Sequence, residues 1–156
     1  MKKLVWDTSA LINIKEPDAN GYSPAESLFY DLSNRVIDID YQHIFPALAV
    51  FETQATVSRI HREGRRMLRD FYLMDENSRL YDIDQKFVTK SYHLLDTPGF
   101  DRLRGADLVF ACIAAVEGAI LVTLDKAFKK NISDSVVVLD LNDSLRVPSY
   151  RGILLS

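Results

Sequence analysis

Short apolar runs alternate along the chain with longer segments of helical periodicity. Four runs are typical of buried strands: residues 3–6, 44–46, 120–124 and 136–139. Apolar positions at helical spacing occupy five longer segments: residues 24–32, 47–61, 65–74, 86–95 and 106–117. Residues 79–83 form a brief extended piece, and no hairpin dipeptide such as Asn-Gly lies directly between two strand candidates. The pattern predicts a parallel sheet that helices cover on both faces.

Two of the helical segments show which side they bury. In the segment at residues 47–61, an apolar stripe predicts the face that packs on the core; it consists of Leu48, Phe51, Ala55 and Ile60. The segment at residues 106–117 is apolar on nearly all sides, so it is expected to lie buried against the sheet. Gly118 follows it, and glycine is the residue type favoured just past a helix C-terminus.

Length and composition predict one domain over residues 1–156. The 156 residues fit a single core, and 47% apolar residues suffice to build it. The single cysteine, Cys112, excludes an internal disulfide and a cysteine zinc site, and it fits a reducing, cytoplasmic setting and a place in the core. The first apolar run ends at Asp7, and Glu117 interrupts the longest one. The sequence therefore predicts neither a signal peptide nor contact with a membrane.

Charge is balanced overall but clustered locally. The 22 acidic and 19 basic residues give a net charge of −3, which does not by itself favour a polyanionic partner. Residues 59–69 nevertheless carry five arginines against one glutamate, and three lysines follow closely after residue 125. We expect phosphate contacts from five basic residues: Arg59, Arg62, Arg65, Arg66 and Lys126. A solvated helical face explains the same residues equally well.

Two of the strand candidates end in an aspartate, Asp7 and Asp125. Parallel strands bring their carboxyl ends to one edge of a sheet, which is where open α/β sheets bind ligands. Each aspartate has a hydroxyl residue two positions away, Ser9 and Thr123, on the same face of an extended chain. Helix capping explains the aspartates as well, because aspartate is a preferred capping residue.

Two further acids favour a functional cluster at this edge. Asp107 opens the most apolar helical segment, where the helix N-terminus stabilises a carboxylate and burial brings it near the sheet. Glu52 borders the apolar stripe that follows the second strand candidate. For Glu52 alone, a surface position near Thr56 and Arg59 is the competing interpretation.

The sequence around these acids resembles the PIN-domain nucleases, and among them the VapC-type toxin ribonucleases. The resemblance rests on residues 5–11, which include Asp7-Thr8-Ser9, and on residues 50–52, 106–115 and 118–128. It spans residues 4 to about 140, with the acids in the family's order. It implies a three-layer α/β/α sandwich around a parallel sheet of four to five strands, and endonucleolytic cleavage of RNA.

Carried over position by position, the family's acidic quartet supplies both the catalytic and the metal-binding residues: Asp7, Glu52, Asp107 and Asp125. Ser9 and Thr123 fall on positions that support the site. Carboxylate oxygens are ligands that Mg²⁺ and Mn²⁺ prefer, so such a set suits metal-assisted phosphodiester hydrolysis. The resemblance also implies an RNA substrate, an antitoxin as a protein partner and a homodimer.

Other classes of protein fit less well. The histidines lie on separate segments without ligand spacing, so structural or surface roles are expected for His43, His61 and His93. A phosphatase of the haloacid dehalogenase type needs a second aspartate where Ser9 stands. A receiver-like domain needs an aspartate at the end of a central strand, and the second candidate ends in proline. Two alternatives within the family are a stand-alone RNA-processing nuclease and a PIN-like module that binds RNA or protein without cutting.

Overall fold

The computed structural model describes residues 1–16, 20–60, 75–144 and 150–156. Its strands are β1 (Lys2–Trp6), β2 (Tyr41–Pro46), β3 (Ser78–Tyr81), β4 (Ile120–Thr123) and β5 (Val138–Asp140). Its α-helices are α1 (Thr8–Lys15), α2 (Pro24–Ser33), α3 (Ala47–Ile60), α4 (Gln85–Ser91), α5 (Gly105–Glu117), α6 (Lys126–Ile132) and α7 (Tyr150–Leu155). Short 3₁₀ turns occupy Tyr92–Leu94, Phe100–Arg102 and Leu141–Ser144.

The five strands form one parallel sheet in the order β3-β2-β1-β4-β5. The predicted parallel α/β architecture is confirmed, with five strands. Because every pair is parallel, all carboxyl ends lie at one edge of the sheet. The order along the sheet reverses between β1 and β4, the type of position where open sheets bind ligands.

Helices cover both faces of the sheet, which confirms the three layers. On one face, the Phe29 ring of α2 packs edge-on to Trp6 of β1, with centroids 6.1 Å apart. On the other face, Phe87 of α4 packs against Tyr81 of β3 at 5.9 Å. Trp6 is fully buried, and Cys112 is 2% exposed, so the core position expected for Cys112 is confirmed.

Helix α5 crosses the second face from one edge of the sheet to the other. Its last residue, Glu117, forms ion pairs with Lys3 at 3.1 Å and Arg79 at 3.4 Å, which lie at the starts of β1 and β3. The C-terminus of α5 is therefore at the amino edge of the sheet. A helix of 13 residues spans about 20 Å, so its N-terminus, with Asp107 in the first turn, reaches the carboxyl edge.

The predicted apolar stripe of α3 is confirmed only in part: Leu48 and Ala55 are half-buried and Leu48 packs against the core, but the other two members are exposed. Phe51 is 73% exposed and Ile60 is 55% exposed, whereas the buried residues of this helix are Ala49, Thr53 and Val57. Thr53 can be buried because its hydroxyl donates to the carbonyl of Ala49 at 2.7 Å. Helix α3 lies against α1 and buries small and branched side chains that the predicted stripe did not include.

Several segment boundaries also differ from the sequence prediction. Strand β5 begins at Val138, two residues later than expected, and extends to Asp140. Helices α1 and α7 were not assigned from periodicity. The helical segment predicted at residues 65–74 lies outside the described residues, as does His61.

The described histidines have the expected structural and surface roles. His43 is fully buried and its ring stacks on Phe29 at 4.6 Å, while Nδ1 accepts a hydrogen bond from Trp6 Nε1 at 3.0 Å. His93 is exposed. Among the described residues, no helix has both the length and the hydropathy needed to cross a membrane.

Candidate active site at the carboxyl edge of the sheet

Asp7 and Asp125 lie at the ends of neighbouring strands. The backbone N–H of Asp7 donates to the carbonyl of Val122 at 3.1 Å, which continues the β1–β4 pairing by one residue. Asp125 comes two residues after the end of β4. The expectation that the two strands carry their aspartates to the same edge therefore agrees with the structure.

The Asp7 carboxylate is 2% exposed and accepts three hydrogen bonds. Its Oδ1 accepts from the Ser9 hydroxyl at 2.8 Å and the Ala10 N–H at 2.9 Å, and Oδ2 accepts from the Thr123 hydroxyl at 2.5 Å. The sequence grouped Thr123 with Asp125, but its hydroxyl reaches across to Asp7. It also accepts the N–H of Asp125 at 2.8 Å, so one side chain links both strand ends.

Ser9 completes this link from the other side. Its hydroxyl accepts the backbone N–H of Leu124 at 3.0 Å, and its oxygen is 3.4 Å from that of Thr123. The two hydroxyls predicted as supporting groups therefore lie together, between Asp7 and the chain that leads to Asp125. Donors on both of its oxygens fix the orientation of the Asp7 carboxylate.

Both aspartates also cap helices, as the alternative interpretation expected. Asp7 caps α1 through Ala10, and Asp125 Oδ1 accepts the N–H of Ala127 at the start of α6 at 2.9 Å. An exposed capping carboxylate is stabilised in its charged form. Asp7 is different, because burial raises its pKa to about 6 despite the hydrogen bonds from Thr123, Ala10 and Ser9 that lower it. Asp7 therefore combines a capping role with burial that disfavours its charged form.

Charge interactions connect the four acids. The negative charge of Asp107 adds to burial in raising the pKa of Asp7. Burial also raises the pKa of Asp107, and the charges of Asp125 and Glu52 raise it further. Asp107 is therefore within electrostatic reach of each of the other three acids.

Glu52 points toward α1. Its Oε1 accepts a hydrogen bond from the Thr8 hydroxyl at 2.8 Å, and its side chain is half-buried. Arg59 instead donates to Thr56 at 3.2 Å. Since Thr8 follows Asp7 directly, Glu52 lies beside the acidic edge and not in the surface group that the competing interpretation proposed.

The family model of the PIN domain matches residues 4–132 of this sequence. The chain belongs to the PIN domain family. The match includes all four acids, and it confirms the family resemblance that the motifs predicted. No curated protein sequence matches the chain at a significant level.

Solved structures of PIN proteins share the fold. VapBC2 from Rickettsia felis, bound to a DNA fragment from its promoter, superimposes with a TM-score of 0.63 at 18% identity, covering 88% of this chain and 97% of that one. Mycobacterium tuberculosis VapC20, described as a sarcin-ricin loop cleaving toxin, gives 0.59 at 15% identity, with 86% and 96% covered. DNA-bound VapBC from Salmonella typhimurium gives 0.61 at 14%, with 90% and 99% covered. At these identities the likeness shows the fold alone.

The acids of this PIN domain fit a divalent cation in donor type. All four offer carboxylate oxygens, and their mutual repulsion is of the kind that a cation relieves. Within the described ranges, however, no three His, Cys, Asp or Glu side chains are grouped so that they could hold a metal ion. The carboxylates are thus near enough to interact through their charges but are not drawn around a common point.

The predicted basic residues are only partly described in this PIN domain. Lys126 is exposed at the first position of α6, one residue past Asp125. Arg59 is exposed in the last turn of α3. Arg62, Arg65 and Arg66 lie outside the described residues.

Asp140 and Asn142 belong to the same edge and were not predicted. Asp140 ends β5 opposite Thr123 and is 5% exposed. The Asn142 amide donates to Asp140 Oδ1 at 3.0 Å and to the carbonyl of Leu124 at 2.5 Å. The rule that selected Asp7, a carboxylate at a strand end, also selects Asp140; the predicted strand stopped one residue before it.

Proposed function

We propose that this PIN domain is a metal-dependent endoribonuclease that acts as the toxin of a toxin–antitoxin pair. The observation that carries the proposal is the buried Asp7. Burial, together with the charge of Asp107, raises the pKa of this carboxylate to about 6. Such a carboxylate is unfavourable in a purely structural position, and perturbed acids in clefts are typical of catalytic sites. Membership of the PIN family supports a nuclease.

Four residues would hold Mg²⁺ or Mn²⁺: Asp7, Glu52, Asp107 and Asp125. A bound divalent cation supplies Lewis acidity that favours the attack of water on a phosphodiester. The chain's own contribution is orientation. Ser9 and Thr123 fix the two oxygens of Asp7, while Thr8 fixes Oε1 of Glu52. These hydrogen bonds hold the Asp7 and Glu52 side chains in place before a cation binds.

An antitoxin would cover the exposed side of α3. The Phe51 ring is 73% exposed, directly next to Glu52. An exposed ring of this size offers an anchor for a protein contact, and a partner bound to it would lie next to Glu52. A related fold from Klebsiella pneumoniae was solved as a toxin-antitoxin complex, with a TM-score of 0.60 at 16% identity. We also propose a homodimer, on the basis of the family resemblance.

A second candidate is a PIN-like module that binds RNA or protein without cutting. It is favoured by the finding that, in the described part of the chain, no three potential ligands are grouped for a metal. A stand-alone RNA-processing nuclease would use the same chemistry as the toxin but without an antitoxin. RNA cleavage would distinguish both nucleases from the module that binds without cutting. Binding of an antitoxin would distinguish the toxin from the RNA-processing nuclease.

The decisive experiment is a cleavage assay with structured and single-stranded RNA. The purified protein, Asp7→Asn and the control Asp134→Asn are incubated with Mg²⁺, Mn²⁺ or a chelator. Asp134 is exposed between α6 and β5 and tests the effect of removing any carboxylate. We expect the protein and the control to cut RNA only with metal, and Asp7→Asn to be inactive. Cutting that survives chelation or the Asp7 substitution would refute the mechanism.

A further inference from the structure

A tight backbone contact joins the segment before α5 to helix α6. Gly99 has φ +93°, and a Cβ placed on it would lie 1.7 Å from the backbone oxygen of Asn131. Only glycine, which has no Cβ, permits this approach. The segment at residues 99–104 is therefore held against the C-terminal half of α6, which places two basic groups of residues next to each other.

Two buried residues anchor this segment and leave its arginines exposed, together with Asp101. Phe100 is fully buried and Leu103 is 5% exposed, so both anchor the segment in the core. Arg102 and Arg104 are exposed between and after these anchors. The anchors fix the backbone that carries the two guanidinium groups, which lowers the entropy lost when the arginines bind a ligand.

Helix α6 contributes lysines in the same way. Phe128 and Ile132 are fully buried on its inner side. Lys126 and Lys130 are exposed and four residues apart, so they share one face of the helix. Among the described residues, no ion pair engages these two lysines or the two arginines.

Both groups of basic residues adjoin the acidic cluster. Arg104 immediately precedes α5, three residues before Asp107, and Lys126 follows Asp125 directly. Asp107 and Asp125 interact through their charges, so they lie near each other. The basic residues that adjoin them, Arg104 and Lys126, therefore also lie in the same region. The two basic groups then extend along the contact between Gly99 and Asn131, away from the carboxylates.

We propose that four residues form a phosphate-binding flank that holds the backbone of RNA beside the cleavage site: Arg102, Arg104, Lys126 and Lys130. This inference rests on the proposed function. Arginine binds phosphate in a bidentate geometry and lysine as a point charge, so the flank recognises the backbone and not the bases. The flank supplies the local positive charge that the overall charge of −3 does not.

The test measures RNA binding as a function of salt. A fluorescent single-stranded RNA of about 20 nucleotides is titrated with the protein in chelator, which prevents metal-dependent cleavage. Each phosphate contact contributes about 0.7 to the slope of log K against log salt for single strands. The double variant R102Q/R104Q should therefore reduce the slope by about 1.4 and weaken binding roughly 25-fold at 0.1 M salt, with little effect near 1 M. K130Q, on the other element, should reduce the slope by about 0.7.

The matched control removes two arginines from elsewhere on the surface. R35Q/R151Q takes away the same charge; Arg35 lines a cleft at the start of β2 and Arg151 lies on α7. Melting temperatures confirm that all variants are folded. If the control lowers the slope as much as the flank variants do, the flank is refuted while RNA binding stands. If the unmodified protein neither binds nor cuts RNA, the proposed function fails, and the flank fails with it.

Discussion

The Thr123 hydroxyl donates to Oδ2 of Asp7 at 2.5 Å, although the two residues are 116 positions apart in the sequence. This contact lies at the point where the order of strands in the sheet reverses. It holds the most buried carboxylate of the candidate site against the neighbouring strand. Its removal therefore affects both the fold and the acidity of the site.

Replacing Thr123 with valine should destabilise the protein and raise the pKa of Asp7 further. Valine keeps the shape of threonine but leaves a buried oxygen of Asp7 without its donor, which costs about 1–3 kcal/mol of unfolding free energy. Burial already raises this pKa to about 6, and Thr123 is the strongest of the hydrogen bonds that oppose it. Urea denaturation and an NMR titration of Asp7 measure the two effects. Thr123→Ser retains the hydroxyl and should leave the pKa of Asp7 unchanged, with a loss of only about 1 kcal/mol for the buried methyl group. A valine variant that leaves both the pKa and the stability unchanged would contradict the prediction.

Asp7 should make the metal-free protein less stable at neutral pH than at pH 4. Its folded pKa of about 6 exceeds the ordinary value of 3.8, so the native state binds more protons than the unfolded state between these values. The contribution of Asp7 to stability therefore falls as the pH rises from 4 to 6, by up to about 3 kcal/mol. Asp7→Asn removes this dependence and should raise the unfolding free energy at pH 7 in chelator. If Asp7→Asn loses as much stability between pH 4 and pH 7 as the unmodified protein does, Asp7 is not the source of the pH dependence.

His43 should have the opposite effect on stability. Burial lowers its pKa below 6.5, against the charge of Asp75, whose Oδ2 is 3.6 Å from Nε2. Because Nδ1 accepts from Trp6, the proton of the neutral ring is on Nε2, and a second proton would displace the Trp6 contact. The unfolded chain binds that proton more readily, so the His43 contribution is present above pH 6.5 and is lost as the pH falls. His43→Gln should remove this rise, so between pH 5 and 6.5 the unfolding free energy should fall more steeply with pH than in the unmodified protein, because only the opposing contribution of Asp7 remains. Denaturation in steps of 0.5 pH units measures the slope, and an unchanged slope would exclude a contribution from His43.

A divalent cation should stabilise the fold through the acidic cluster. Mg²⁺ or Mn²⁺ at 100 times its dissociation constant would add about 2.7 kcal/mol if it binds only the native state. Asp107 interacts with all three other acids, so Asp107→Asn should lose most of this gain without destabilising the metal-free protein. Melting curves with MgCl₂, compared with NaCl of equal ionic strength, test the effect. An equal increase in melting temperature for both proteins would show that the cation binds elsewhere.

Gly99→Ala should cost roughly 2–4 kcal/mol of stability, because it combines a positive φ with a collision against the Asn131 carbonyl. Gly21→Ala is a matched control, since its φ of +73° is similar but no atom lies within 4 Å of the new Cβ. The control should lose only about 1 kcal/mol. Thermal denaturation of the two variants distinguishes the cost of the collision from the cost of the backbone strain. Equal losses of stability would mean that α6 moves away from the new Cβ at little cost.

The sequence was sufficient to predict features that depend on local pattern. The apolar runs predicted the strands, and the rule that ligands bind at carboxyl ends selected Asp7 and Asp125. Features that depend on strand register, or on which of two faces a helix buries, could not be predicted from the sequence. Thr123 reaches Asp7 because β1 and β4 pair with a particular offset, which no local spacing reveals. Phe51 is exposed because α3 buries another side, which carries Ala49, Thr53 and Val57.

The separation of β1 and β4 along the chain sets the order in which the site forms during translation. Asp7 is synthesised early, but its hydrogen-bond donor on β4 follows 116 residues later. At about 5–20 residues per second, that interval is roughly 6–23 s. Throughout it the growing chain contains the first acid without the strand that orients it, and without Asp125. A nuclease built in this way becomes competent only once the ribosome has made most of the domain.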